Sequence, residues 1–223
     1  MINSLYLADV TPLEDEALFL RAYGSVSYER KNKIDRLAKK EDKRRSVAAE
    51  LLLRYALKVN GVAELPEIVL GAKGKPYFES GNLFFSLSHS GDKVCCALSL
   101  AEVGCDIEKI KKADLKTAGR FFSSEENLML SSLSDESEKD ELFFRLWTLK
   151  ESYMKATGKG LSLPFREAVI TFGKDGISAG NGEYRFFETD MLSGYKCSVC
   201  VKGKDSDFTV KSVGLKEMLL SAF

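Results

Sequence analysis

The sequence predicts an α+β fold made of two similar halves in one chain, a pseudo-twofold duplication. Three features predict it: short apolar runs separated by glycine turns, a long helical segment rich in alanine and leucine, and a strand pattern that returns about 100 residues later. With 223 residues, 44% of them hydrophobic and only four prolines, the chain can bury a core as one large domain or two small ones.

In chain order, residues 4–9 read as a first strand, 12–23 as helical and 28–45 as a basic region. Alanines and leucines at helical spacing over 46–59 predict a long buried helix, stopped by Asn60-Gly61, a left-handed C-terminal signal. Residues 68–70, 84–87 and 94–100 read as strands around the turns Gly71-Ala72-Lys73-Gly74-Lys75-Pro76 and Ser90-Gly91-Asp92. The repetition is visible in particular residues. Glu167-Ala168-Val169-Ile170 echoes Glu67-Ile68-Val69-Leu70, Phe186-Phe187 echoes Phe84-Phe85, and Ser193-Gly194-Tyr195-Lys196 echoes Ser90-Gly91-Asp92-Lys93. The division then falls between halves 1–101 and 102–223, and a ligand site is expected at their interface. Residues 131–140, serine-rich and acidic, predict an exposed loop.

Composition narrows the function classes. No run approaches the ~20 apolar residues of a membrane helix, and residues 1–10 lack a basic-then-apolar leader, so a soluble, cytoplasmic protein is expected. The 33 basic residues balance 33 acidic ones, leaving no global field for nucleic acid or membrane. All five cysteines lie in apolar runs, which predicts reduced core thiols. Cys197-Ser198-Val199-Cys200 has metal-site spacing but no second ligand pair.

Two acidic clusters carry the chemistry. Residues 101–107 read as a buried strand, so Asp106 and Glu108, two apart, share a face. Glu151 and Lys155, four apart in a helical pattern with Leu146, Leu149 and Tyr153, put a third carboxylate beside a cation. Three hard oxygen donors beside a lysine suit a magnesium-bound phosphate. Each half also has a plainer reading, as a solvated acidic pair or a surface ion pair worth about 0.3–0.5 kcal/mol. His89, the only histidine, ends a strand among small hydroxyl residues, as a structural residue or a phosphate contact. The 71–76 loop is a hairpin or a phosphate cradle, and the cations of residues 30–45 are a solvated face or phosphate contacts.

Taken together, several motifs resemble the 4′-phosphopantetheinyl transferases, specifically the surfactin-synthetase-activating class. These are Gly74-Lys75-Pro76, Phe85-Ser86-Leu87-Ser88-His89-Ser90, Gly104-Cys105-Asp106-Ile107-Glu108, Arg120-Phe121-Phe122-Ser123, Trp147-Thr148-Leu149-Lys150-Glu151-Ser152 with Lys155, and Gly158-Lys159-Gly160-Leu161. The resemblance spans about residues 25 to 165, with Ser86 where the family often has asparagine and Cys105 where it often has valine or isoleucine. It implies a monomeric pseudodimer that transfers the phosphopantetheine arm of coenzyme A to a carrier-protein serine and releases adenosine 3′,5′-bisphosphate. By position, Asp106, Glu108 and Glu151 match its magnesium ligands, a set that manganese would also accept. Glu126 matches its general base, with Glu125 adjacent. Lys155, His89 and Ser88 match coenzyme A contacts, Lys75 the nucleotide side, and Arg30, Lys33, Arg45 and Ser46 phosphate contacts. Lys109, Lys111, Lys112, Leu115, Lys116 and Phe121 mix cations with apolar residues, as a surface for acidic carrier proteins would. A pyrophosphatase or a noncatalytic coenzyme A-binding protein are the rival readings.

Overall fold

The computed structural model describes residues 2–160, 165–174, 176–204 and 207–221. Its elements run β1 (Ser4–Asp9), α1 (Glu16–Gly24), α2 (Tyr28–Asp35), α3 (Lys40–Val59), β2 (Ile68–Leu70), β3 (Pro76–Phe78), β4 (Phe84–Ser90), β5 (Lys93–Ser99) and β6 (Val103–Lys109). They continue with α4 (Leu115–Phe121), α5 (Ser124–Ser132), α6 (Glu136–Thr157), β7 (Thr171–Gly173), β8 (Gly176–Ala179), β9 (Tyr184–Thr189), β10 (Tyr195–Lys202), β11 (Thr209–Val213) and α7 (Leu215–Ser221).

Among the described residues, β11-β1-β5-β4 form one sheet and β6-β10-β9-β8-β7 a second, with β2 and β3 paired apart. The order β1-β5-β4 returns as β6-β10-β9, and α3 and α6 occupy matching places in the chain, so the duplication is visible in topology.

Strand alternation builds the layers. Leu5, Leu7, Cys95 and Ala97 face the second sheet and pack on Val103, Cys105, Ile107, Cys197 and Val199. Their neighbours Tyr6, Ala8, Val94, Cys96 and Leu98 pack instead on α3, against Val47, Leu51, Leu52 and Tyr55. On the outer face of the second sheet, Tyr184, Phe186 and Cys200 meet Leu149, Tyr153 and Ala156 of α6. The result is helix, sheet, sheet, helix, and all five cysteines are buried free thiols.

Two positions in the seam need glycine. Gly91 turns β4 into β5 at φ +53, where a Cβ would lie 2.6 Å from the Tyr195 hydroxyl of β10. Gly104 is the closer approach: a Cβ there would sit 2.0 Å from Ser152 O and 2.3 Å from Ala156 N of α6.

Three expectations are corrected. The acidic, serine-rich stretch is not a loop across 131–140: α5 continues to Ser132 and α6 begins at Glu136. Asp135 caps α6 by accepting from Glu138 N at 3.0 Å, and Glu136 and Glu138 complement the dipole of its first turn, so the same residue types start a helix. The 167–170 echo is not a strand: residues 165–167 form a 3-10 turn and β7 starts only at Thr171. The chain also does not divide at a single point, because β11 and α7 return to the first layer. There β11 pairs in parallel with β1, Ser4 opposite Thr209, and Met218 and Leu219 join the core under α3. Leu161, the end of the Gly158-Lys159-Gly160-Leu161 motif, lies outside the described residues.

Gly104→Ala should be destabilised by about 1–3 kcal/mol, as overpacking against rigid backbone is. Urea midpoints of the two proteins would measure this, and equal midpoints would show that β6 can move away from α6.

Candidate active site

β6 carries its apolar residues toward the first sheet and Gly104, Asp106 and Glu108 toward α6. Asp106 is buried. Its Oδ1 accepts from Lys155 Nζ and from Ser88 Oγ, both at 2.7 Å, and Lys155 also donates to Ser88 at 3.0 Å. The second oxygen, Oδ2, is buried without a partner.

Alternate residues of β4 reach across to β6. Ser86 Oγ accepts from Cys105 N at 3.0 Å, Ser88 donates to Asp106, and Ser90 donates to Glu108 Oε2 at 2.6 Å. The two halves are thus joined at the cleft by a row of hydroxyls, each able to donate and accept.

The electrostatics record three carboxylates drawn together. Burial raises the Glu151 pKa first, and the charges of Asp106 and Glu108 raise it further. Glu108 is raised by burial and by Asp106, against the opposing bond from Ser90. Burial opposes the charge on Lys155, but the Asp106 carboxylate, by its charge and its hydrogen bond, more than offsets it, and the Lys155 pKa is raised.

Two cavities meet at Lys155, sharing Pro76 and Leu87 as well. One, of about 380 Å³, gathers Arg30, Lys33, Ser46, Ser88 and His89. Burial, then Arg30, lowers the Lys33 pKa. The His89 side chain stands at the mouth, yet desolvation of its ring and the Arg45 guanidinium lower its pKa. Ser46 Oγ is buried there without a partner. The other cavity, of about 330 Å³, is lined by Lys73, Gly74, Phe85, Met154 and Glu151 and is mostly apolar. A separate cavity beside the N-terminal part of α6 is lined by Arg145, Glu188, Lys196 and Glu141, which neutralise one another in ion pairs of 2.7 and 3.0 Å.

Several predicted residues have other engagements. Lys75 donates to Val103 O at 3.2 Å and Ala156 O at 2.9 Å, tying the 71–76 turn to β6 and the end of α6, and burial lowers its pKa. Arg45 donates to Gly91 O at 2.8 Å and pairs with Asp42. Glu126 forms a capping box with Ser123 and a 3.0 Å ion pair with Lys150, both through Oε2. Lys150 escaped the sequence reading. It is fully buried and also donates to Phe165 O and Ala168 O. The signal was available, since Lys150 falls on the apolar stripe of Phe143, Leu146, Tyr153 and Met154.

Among the described residues, no three acidic, histidine or cysteine side chains stand as a ready-made metal centre. The donor chemistry nevertheless fits a hard cation: an orphaned buried carboxylate oxygen and two carboxyls raised by burial and by the charge of Asp106. No helix among the described residues is long and apolar enough to cross a membrane.

The raised carboxyls set a pH dependence. The folded chain holds these protons to higher pH than the unfolded chain, so stability falls as pH rises from the ordinary value of 4.5 through the raised values and stays reduced above them. Glu151→Gln should therefore melt at a higher temperature than the parent near pH 8, with the gap closing toward about pH 4. Calorimetry at the two pH values would test this, and a gap independent of pH would contradict it.

Comparison with known proteins returns one family for both halves. The model of the 4′-phosphopantetheinyl transferase superfamily matches residues 102–200, and the 4′-phosphopantetheinyl transferase N-terminal model matches 11–101. The chain is 35% identical over 198 residues to the 4′-phosphopantetheinyl transferase gsp of Aneurinibacillus migulanus, covering 83% of this chain and 80% of that one. It is 32% identical over 204 residues to the 4′-phosphopantetheinyl transferase Sfp of Bacillus subtilis strain 168, covering 87% and 90%.

Proposed function

The chain belongs to the 4′-phosphopantetheinyl transferases, and from that membership we propose that it moves the phosphopantetheine arm of coenzyme A onto a serine of an apo carrier protein, releasing adenosine 3′,5′-bisphosphate. The observation that carries this reading is the meeting of a cationic and an apolar cavity at Lys155, beside three carboxylates.

Arg30, Lys33, His89 and Lys155, with the unpartnered Ser46 hydroxyl, offer charge-assisted contacts to a polyanion. Asp106, Glu108 and Glu151 would hold magnesium, and oxygen donors accept manganese equally. Bound there, the metal would neutralise charge on the pyrophosphate as its bond breaks. Lys155 keeps a positive charge at the same place and restrains Asp106. Lys75 acts from behind the nucleotide side, through the turn that it braces.

We assign the general base to Glu126, whose Oε1 is outside both the capping box and the Lys150 pair; exposed Glu125 is the alternative. The carrier would dock on Lys109, Lys112, exposed Leu115, Lys116 and half-buried Phe121, along the segment that runs from the end of β6 into α4. We take the enzyme to act as a monomer in the cytoplasm, where the buried free thiols stay reduced.

Incubation with magnesium, coenzyme A and a panel of apo carriers should add the phosphopantetheine mass to at least one carrier, read by intact-mass spectrometry. Asp106→Ala should abolish the gain. Coenzyme A cleaved with no carrier modified would favour a pyrophosphatase, and binding without turnover would favour a noncatalytic binder. With the right carrier, Glu126→Gln should lower kcat by ~10²–10⁴-fold, the usual contribution of a general base, while Glu125→Gln stays near the parent. The reverse ranking would move the base to Glu125. Charge reversal at Lys112 and Lys116 should raise the carrier KM and leave the coenzyme A KM unchanged. An unaltered carrier KM would sink the docking surface.

A further inference from the structure

Glu50 is buried on α3 at 3% exposure and lines neither cavity of the cleft. Its oxygens are fully engaged. Oε1 accepts from Ser27 N at 2.6 Å and from Arg54 Nη2 and Nε at 2.9 and 3.1 Å; Oε2 accepts from Ser27 Oγ at 2.9 Å and Arg30 Nε at 3.3 Å. Ser27 is the N-cap of α2, accepting from Arg30 N at 3.2 Å, so one carboxylate holds both the cap and the first turn of that helix.

α2 needs such an anchor. It spans eight residues, and Ile34 is its one buried residue, so little apolar packing holds it in place. Yet Arg30 and Lys33, three apart on its inner side, are the cations it contributes to the 380 Å³ cavity. Glu50 takes the Nε edge of Arg30, and among the hydrogen bonds of the described residues none uses that guanidinium's two terminal nitrogens. Burial opposes the charge on Glu50, but its bonds to Ser27 and Arg54 more than offset it, so its pKa lies below the usual glutamate value.

We propose that Glu50 is a positioning residue for the coenzyme A phosphates: it fixes α2 against α3 and turns the free fork of Arg30 toward the cavity. This rests on the reading that the cavity receives coenzyme A. Geometry favours it over a purely stabilising ion pair, because the same carboxylate that secures the helix also selects which edge of Arg30 faces the ligand.

The test uses Glu50→Gln in the full chain, with folding checked by circular dichroism. Adenosine 3′,5′-bisphosphate binding is measured by calorimetry, and KM is measured for coenzyme A and carrier. The expected result is a bisphosphate Kd and coenzyme A KM about ten-fold higher, as for loss of one charge-assisted contact, with carrier KM and kcat close to the parent. Because the effect passes through Arg30, Glu50→Gln combined with Arg30→Met should cost no more coenzyme A affinity than Arg30→Met alone. If Glu50→Gln does not fold, Glu50→Asp, which keeps the charge but is one methylene short, should show the same split between coenzyme A and carrier. A folded variant with parental bisphosphate affinity, or strict additivity with Arg30→Met, overturns the assignment to Glu50 alone. A parent protein that binds neither coenzyme A nor the bisphosphate overturns the reading of the cavity, and the Glu50 proposal with it.

Discussion

The cleft depends on how near the backbone of β6 comes to the backbone of α6. At Gly104 the two are closer than a methyl group allows. From that contact onward the geometry matches itself: two residues along a strand advance ~6.6 Å and four along a helix ~6 Å. Asp106 and Glu108 therefore stand opposite Lys155 and Glu151, and the charges of both strand carboxylates bear on Glu151. Had β6 been held one side chain further away, the same residues would be two separate surface pairs.

The arrangement is costly before any ligand arrives. Three carboxylates share one ammonium, an oxygen of Asp106 is buried unpartnered, and two carboxyls are pushed toward their neutral forms. A buried polar group without a partner costs roughly 1–3 kcal/mol. Such expense is typical of sites prepared for a charge that comes later. The serine row from β4 moderates it, because hydroxyls satisfy carboxylates on one side and backbone on the other without adding charge.

Much of this was legible in the sequence. Period-two alternation put Asp106 and Glu108 on one face, and a spacing of four put Glu151 beside Lys155. Chain repetition announced the two halves. What stayed hidden depends on contacts between distant segments. Nothing local in Glu50 distinguishes a helix carboxylate that gathers Ser27, Arg30 and Arg54 from one that faces water. Glu126 reads as a first-turn acid, and its pairing with Lys150 becomes visible only when α5 and α6 are packed. The 131–140 stretch misled because serine and acidic residues suit loops and helix starts alike. The bonds of Lys75 to two main-chain carbonyls were hidden too, because nothing in a glycine turn names the distant segments it will brace.

The return of β11 to the edge of β1 bears on how the molecule is made. β1 leaves the ribosome long before one of its two neighbours, β11, and before α7, the helix that covers that corner. At ~5–20 residues per second, the wait between them is on the order of ten seconds or more. During synthesis the second layer can close on itself while the first has an open edge, so of the two layers the one made earlier is the one that folding completes last.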